Sequence, residues 1–187
     1  MILASKSPRR KELLSMLGLE FTVAAADIDE TMPRGMPTEK AMAAVCKRKA
    51  AAVAASYPGE LIIAADTIVV LGEVILGKPK TKEEAANMLR ALSGNTHMVL
   101  TACCLWKDGI TRTFVEKTNV RFRQLSYREI DAYIATGSPM DKAGAYGIQD
   151  QAAIFVEALE GDYYNVMGLP LCRLSEELLR MGVTILG

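Results

Sequence analysis

The most apolar run of this chain carries an aspartate and a threonine in its middle. Leu61-Ile62-Ile63-Ala64-Ala65 and Ile68-Val69-Val70-Leu71 are β-rich stretches, and Asp66-Thr67 interrupts them. Runs of this composition read as buried strands, where aspartate is depleted and a carboxylate must be paired, hydrogen-bonded or metal-bound. A strand of that kind is buried, and what covers it is read from the elements around it. Asp66 is then either a turn-bonded structural carboxylate or a ligand group, since strand ends in open α/β sheets often carry ligand sites.

The rest of the chain fits that frame. Met1–Ala4 reads as a short buried strand, and Glu20–Ala25 as a second one. Ser7 is a good N-cap and Pro8 a good first helical residue, with Leu13, Leu14 and Leu17 as the apolar stripe and Gly18 as the stop. A helix is expected from Thr38 to about Ser56, its polar side holding Lys47, Arg48 and Lys49. Gly72-Glu73 marks a hairpin returning through Val74–Leu76. A third helix opens at Lys80 or Thr81 and buries Ala85, Ala86, Leu89 and Leu92. Thr96–Trp106 and Arg112–Phe122 form a long hairpin turned at Lys107-Asp108-Gly109. Tyr127–Ala135 is helical, Ser138–Asp150 is a glycine-bearing loop, Ala153–Val156 is a strand, and Leu169–Met181 is a closing helix. Helices alternate with strands, some of them in hairpins, so the expected fold is α/β with a mixed, twisted central sheet and flanking helices. With 187 residues and no repeats or linker, one domain over 1–187 is expected.

Charge and cysteine usage narrow the function classes. The formal net charge is zero, from 22 acidic and 22 basic side chains, which argues against a nucleic-acid or anionic-membrane binder. No apolar run is long enough to span a bilayer, and the first ten residues lack a signal-peptide core, so the expected location is the cytoplasm. Cys46, Cys103, Cys104 and Cys172 have no metal-ligand spacing and read as reduced, mostly buried thiols. His97 is the lone histidine and reads as a hydrogen-bonded structural residue.

Residues able to handle phosphate and metal are spread along the chain. Ser5, Lys6, Ser7, Arg9 and Arg10 surround a helix N-terminus, which favours anions; the group is either a solvated basic turn or a cradle for a polyanion. Glu30, in the acidic turn Asp27-Ile28-Asp29-Glu30, is a second carboxylate or a solvated loop acid. Lys78, held extended by Pro79, is a phosphate-binding point charge or a surface lysine. Asp141-Lys142-Ala143-Gly144-Ala145-Tyr146-Gly147-Ile148-Gln149 joins charged groups to a glycine loop, and the Gln149 amide can read a donor–acceptor edge of a base. Together these point to a nucleoside phosphate and a divalent cation, because hard cations choose carboxylate and phosphate oxygens. A P-loop is excluded, and the glycines lack dinucleotide-fold spacing.

Several of these stretches occur together in one known family. Leu3-Ala4-Ser5-x-Ser7-Pro8-Arg9-Arg10, Ala65-Asp66-Thr67, Lys78-Pro79, Leu92-Ser93-Gly94-x-Thr96-His97, Asp141–Gln149 and Val166-x-Gly168-Leu169-Pro170 occur here in order. In these the chain resembles, over essentially its whole length, the Maf-like nucleoside triphosphate pyrophosphatases. The resemblance implies an elongated α/β fold with a central cleft, similar to the inosine triphosphatases. It implies hydrolysis between the α- and β-phosphates with Mg²⁺ or Mn²⁺, and a homodimer. Asp66 would be the proton acceptor, and Arg9, Thr67 and Gln149 the specificity positions of the branch acting on dTTP and UTP. Ser5, Ser7, Arg9, Arg10 and Lys78 would hold the triphosphate. Asp66 and Glu30 would hold the metal, and Asp141 and Lys142 would complete the binding residues. A nucleotide-binding regulator of cell division is the second reading the resemblance carries.

Overall fold

The computed structural model describes all 187 residues. They sort into two compact units that the chain visits in turn. The first comprises 1–66, 101–116 and 168–187, and the second 67–100 and 117–167.

In the first unit, β1 (Ile2–Leu3) lies parallel to both β2 (Thr22–Val23) and β3 (Ile62–Leu71), pairing Leu3 with Val23 and with Ile63. Helix α1 (Pro8–Ser15) starts as its residues dictate: the Ser7 hydroxyl caps the Arg10 amide, and Pro8 fills the first turn. Helix α2 (Thr38–Ala54) buries Met42, Val45, Cys46, Ala50 and Val53, and the Cys46 thiol donates to the Ala102 carbonyl on the unit's share of β5 (Thr96–Lys107). Helix α6 (Leu171–Arg180) buries Leu171, Leu174 and Leu178 on one side. Glu177 on that helix is buried and takes ion pairs from Arg112, Arg173 and Arg180. Burial would raise its carboxyl, yet Arg112 and the other two guanidiniums hold it below the usual carboxylate range.

The second unit begins on the distal half of β3, which pairs antiparallel with β4 (Val74–Leu76). Helix α3 (Lys82–Leu92) is capped by Thr81 and packs on α4 (Tyr127–Ala135). Ser126 and Glu129 close a capping box at the start of α4. The end of β6 (Ile110–Phe122) pairs antiparallel with β7 (Val156–Glu160), with a bulge at Arg121/Phe122. His97, Phe122, Tyr146 and Phe155 stack edge to face in the unit's core. The short helix α5 (Tyr163–Met167) follows β7.

The strands form one sheet in the order β2-β1-β3-β5-β6-β7, with β4 on β3, so the mixed sheet with flanking helices is as expected. Three local readings change. The Asp66-Thr67 pair does not interrupt β3, which runs unbroken through it. The strand expected over Glu20–Ala25 shrinks to an exposed pair, because β2 is an edge with a single neighbour. The strand expected over Ala153–Val156 is instead a 3-10 turn at Gln151–Phe155, because the Asp150 carboxylate caps the Ala152 amide. The thiols are mostly buried, as expected: Cys172 is exposed, the other three are buried, and all four are free. No helix is long and apolar enough to cross a membrane.

Candidate active site

In the first unit the decisive side chain is Lys49. Its ammonium bonds Asp66 Oδ1 at 2.9 Å and lies 3.1 Å from Glu30 Oε2. The lysine side chain is 12% exposed and Asp66 21%, whereas Glu30 is 61% exposed. A lysine this buried needs a counter-charge, and Asp66 supplies it from the strand while Glu30 reaches in from the loop. The loop is shaped by Asp29, which accepts from the Thr31 amide at 2.8 Å, and by Arg48, which donates to the Thr31 carbonyl at 2.6 Å. The charge run Lys47-Arg48-Lys49 puts Lys49 on the polar side of its helix in the sequence reading, whereas the structure turns it inward. The spacing held a contrary signal: Lys49 follows Val45 by four residues and precedes Val53 by four, which places it on the buried stripe.

The hydroxyl and guanidinium groups at the start of α1 divide their work. Ser5 is buried and its Oγ accepts from the Ser7 amide at 3.2 Å and from Arg10 at 3.3 Å. Arg10 Nε donates to the Gly168 carbonyl at 2.8 Å, so this side chain ties the first turn of α1 to the entry of α6. Arg9, Arg10 and Ser7 are half-buried, and Lys6 is exposed.

In the second unit Thr67 follows Asp66 on β3 and is half-buried, and Lys78 is exposed just beyond β4. The Gly77 carbonyl beside Lys78 accepts from the Gly144 amide at 3.0 Å, which fastens the lysine's segment to the glycine loop. Gly144 requires its residue type: φ is +70°, and an added Cβ would lie 3.0 Å from the Val69 side chain. Ala145, the next residue, also has a left-handed φ of +62°, a strained state for a side-chain-bearing residue. The Lys142 ammonium bonds the Ser138 carbonyl at 2.6 Å and Asp141 Oδ1 at 2.7 Å. Lys142 and Asp141 therefore hold the loop together, with Gln149 exposed at its end. His97 is buried, with Nε2 2.8 Å from the Tyr146 hydroxyl, the structural role expected of it; burial lowers its pKa to about 4.

A surface concavity of about 410 Å³ is lined by Met1, Ile2, Glu20, Phe21, Thr22 and Glu60, and includes none of the residues singled out in the sequence. Asp66 and Glu30 form a small hard-oxygen set that already faces a cation, Lys49. Such a pair fits Mg²⁺ or Mn²⁺, which take one or two carboxylates and complete their shell with phosphate and water oxygens.

A mixed-sheet α/β fold does not by itself assign a reaction, and the Lys49–Asp66–Glu30 cluster is a group of paired charges set within it. Residues 1–181 match the family described as Maf-like protein, and the chain belongs to that family. It is 54% identical over 182 residues to a Geobacillus sp. (strain WCH70) protein named dTTP/UTP pyrophosphatase, covering 97% of this chain and 98% of that one. A Pelotomaculum thermopropionicum protein of the same name is 48% identical, covering 99% and 98%. One from Moorella thermoacetica is 46% identical, covering 100% and 97%. Among solved structures, the Staphylococcus aureus Ham1 protein is similar at a TM-score of 0.46 and 16% identity, covering 67% of this chain and 73% of that one.

Proposed function

We propose that this chain is a nucleoside triphosphate pyrophosphatase that hydrolyses dTTP and UTP to the monophosphate and pyrophosphate, a house-cleaning activity on nucleotide pools. The observation that carries the reading is the salt-bridged Asp66, held by Lys49 in a chain whose full-length relatives bear that name. The relatives' names speak for the enzyme rather than for the cell-division regulator.

The chemistry assigns each residue a task. Asp66 accepts a proton from the attacking water as its oxygen bonds the α-phosphorus and the bond to the bridging oxygen breaks. Lys49 fixes the carboxylate's orientation through its 2.9 Å bond. Charge then grows on the departing pyrophosphate, where the Arg9 guanidinium, the Ser7 hydroxyl and the positive end of the α1 dipole act on it. Arg10 and Ser5 shape that turn. Lys78 adds a point charge for the triphosphate, Gln149 and Thr67 face the base, and Asp141 and Lys142 hold the base-reading loop. A divalent cation, Mg²⁺ or Mn²⁺, would be held by Asp66 and Glu30 and would neutralise phosphate charge. The enzyme works in the cytoplasm as a homodimer in this reading, which light scattering tests.

The direct test is pyrophosphate release from dTTP, UTP, dCTP, GTP, ITP and 7-methyl-GTP with Mg²⁺ or Mn²⁺, run beside Asp66→Asn. Release from dTTP and UTP that disappears in the variant upholds the reading. An active, well-folded Asp66→Asn protein overturns the catalytic assignment, and preference for another base overturns the substrate.

A further inference from the structure

The four residues Gly147-Ile148-Gln149-Asp150 make one tight turn, closed by the Asp150 amide donating to the Gly147 carbonyl at 3.2 Å. Both corners of this turn are fixed by one side chain from another element. Tyr133, on α4, is 3% exposed. Its hydroxyl accepts from the Gly147 amide at 3.2 Å and donates to the Asp150 carboxylate, whose oxygens lie 3.1 and 3.0 Å away. The Asp150 carboxylate is itself locked, accepting from the Ser138 hydroxyl at 2.5 Å and the Ala152 amide at 2.9 Å, with the Lys142 ammonium at 3.5 Å.

Inside this bracket Ile148 is buried and Gln149 is exposed. Gly147 has no room for a side chain, since an added Cβ would meet Lys142 Cε at 2.7 Å and Asp150 Oδ2 at 2.8 Å. Burial, and next the Asp150 charge, push the Tyr133 phenol upward, so it stays a donor across the working pH range. A turn with amide, carboxylate and apolar corner all anchored leaves the side chain between them only its own rotamers to choose from. The one side chain so presented is Gln149.

We propose that Tyr133, through Asp150, is a positioning residue that aims the Gln149 amide and so sets how sharply the enzyme discriminates between bases. The inference rests on the reading that Gln149 faces the base. An amide carried on an anchored turn offers its donor and acceptor over a restricted set of positions, which suits the donor–acceptor edge of thymine or uracil. Loosening the turn lets the amide reach other patterns, including the reversed one of cytosine, and weakens the match to the correct edge.

The test compares Tyr133→Phe, Ser138→Ala and Gln149→Ala with the unaltered full-length enzyme in Mg²⁺, measuring kcat and KM for dTTP, UTP, dCTP and GTP. Tyr133→Phe is expected to lower the dTTP-over-dCTP ratio of kcat/KM about tenfold, through KM for dTTP, with kcat within about twofold. Ser138→Ala, which removes one bond to Asp150 and leaves Tyr133 in place, should lower it about threefold; it carries the test if Tyr133→Phe does not fold. In the double variant with Gln149→Ala, Tyr133→Phe should add no further loss. A relaxed preference in Gln149→Ala alongside an unchanged one in folded Tyr133→Phe and Ser138→Ala overturns the positioning role and leaves the base-reading assignment standing. An unchanged preference in Gln149→Ala overturns both. Equal loss on every nucleotide in the Tyr133 and Ser138 variants reduces the bracket to a stability element and also overturns the proposal.

Discussion

The carboxylate group of the first unit and the glycine loop of the second share one device, a 12% exposed lysine facing two carboxylates, and differ in what surrounds it. Asp66, Lys49 and Glu30 are held by charge: one ammonium faces two carboxylates, and their backbones come from a strand, a helix and a loop. The loop from Ser138 to Ala152 adds backbone shape and hydroxyl hydrogen bonds to the ion pairs of Lys142 with Asp141 and Asp150. Gly144 and Ala145 are left-handed, Gly147 lacks room for a Cβ, and the phenol of Tyr133 ties both corners of the turn. The contrast teaches that an isosteric change of charge should damage the first region chemically, at a limited cost to the fold. A small change of volume should damage the second region structurally while sparing the chemical step.

The sharpest way to break the contrast is Asp66→Asn. Removing the proton acceptor should cut kcat for dTTP by about 10³-fold, within the range of general-base losses, and lower Tm without unfolding the chain, because Glu30 still faces Lys49. A lowered Tm with turnover retained would show that the carboxylate serves the strand rather than the reaction. Next in size, Lys49→Met should lower kcat by roughly 10²-fold, because the carboxylates lose the group that orients them. Retained turnover with Lys49→Met would confine the lysine to packing.

Acid acts on the second region through His97. Burial holds the ring's pKa at about 4 in the folded chain, below its ordinary value of 6.5. Between those values the unfolded chain takes up a proton that the folded chain refuses. The associated stability is therefore complete above about pH 6.5 and falls as pH drops towards 4, by about 2–3 kcal/mol. Urea unfolding at pH 7 and pH 4.5 should show the loss, and His97→Gln should remove much of it. An identical slope in that variant would clear the histidine. The smallest effect is expected from Gly144→Ala, which sets a Cβ against Val69 at a left-handed φ. It should destabilise by about 1–2 kcal/mol in thermal unfolding with kcat retained. A loss of turnover with unchanged Tm would place the loop in the chemical step.

The comparison also shows which parts of the molecule could be read from the chain. Helix α1 begins where Ser7 and Pro8 place it, and α4 where Ser126 and Glu129 close their box, because capping is settled within a few residues. The hairpin of β5 and β6 turns at Asp108-Gly109, both left-handed, as the residue pair announces. Asp66 was legible as a carboxylate needing a partner, and His97 as a hydrogen-bonded structural residue. The Ala153–Val156 strand was misread because a short apolar run has no period long enough to separate strand from turn, and Asp150 decides the matter from outside it.

What the sequence determined by itself is therefore local: where most elements start and stop, which stripes go inward, and which polar residues are out of place in an apolar setting. Tertiary structure alone decided the partners. Lys49 meets Asp66 across 17 residues of chain, Tyr133 meets Asp150 across the same separation, and Arg10 meets the Gly168 carbonyl across 158. Propensity, capping and periodicity act over about one turn or one pleat, so they specify an element without naming its neighbour. A buried charge or phenol takes as its partner the group that the folded path of the chain delivers within about 3 Å, and that path is a property of the whole sheet.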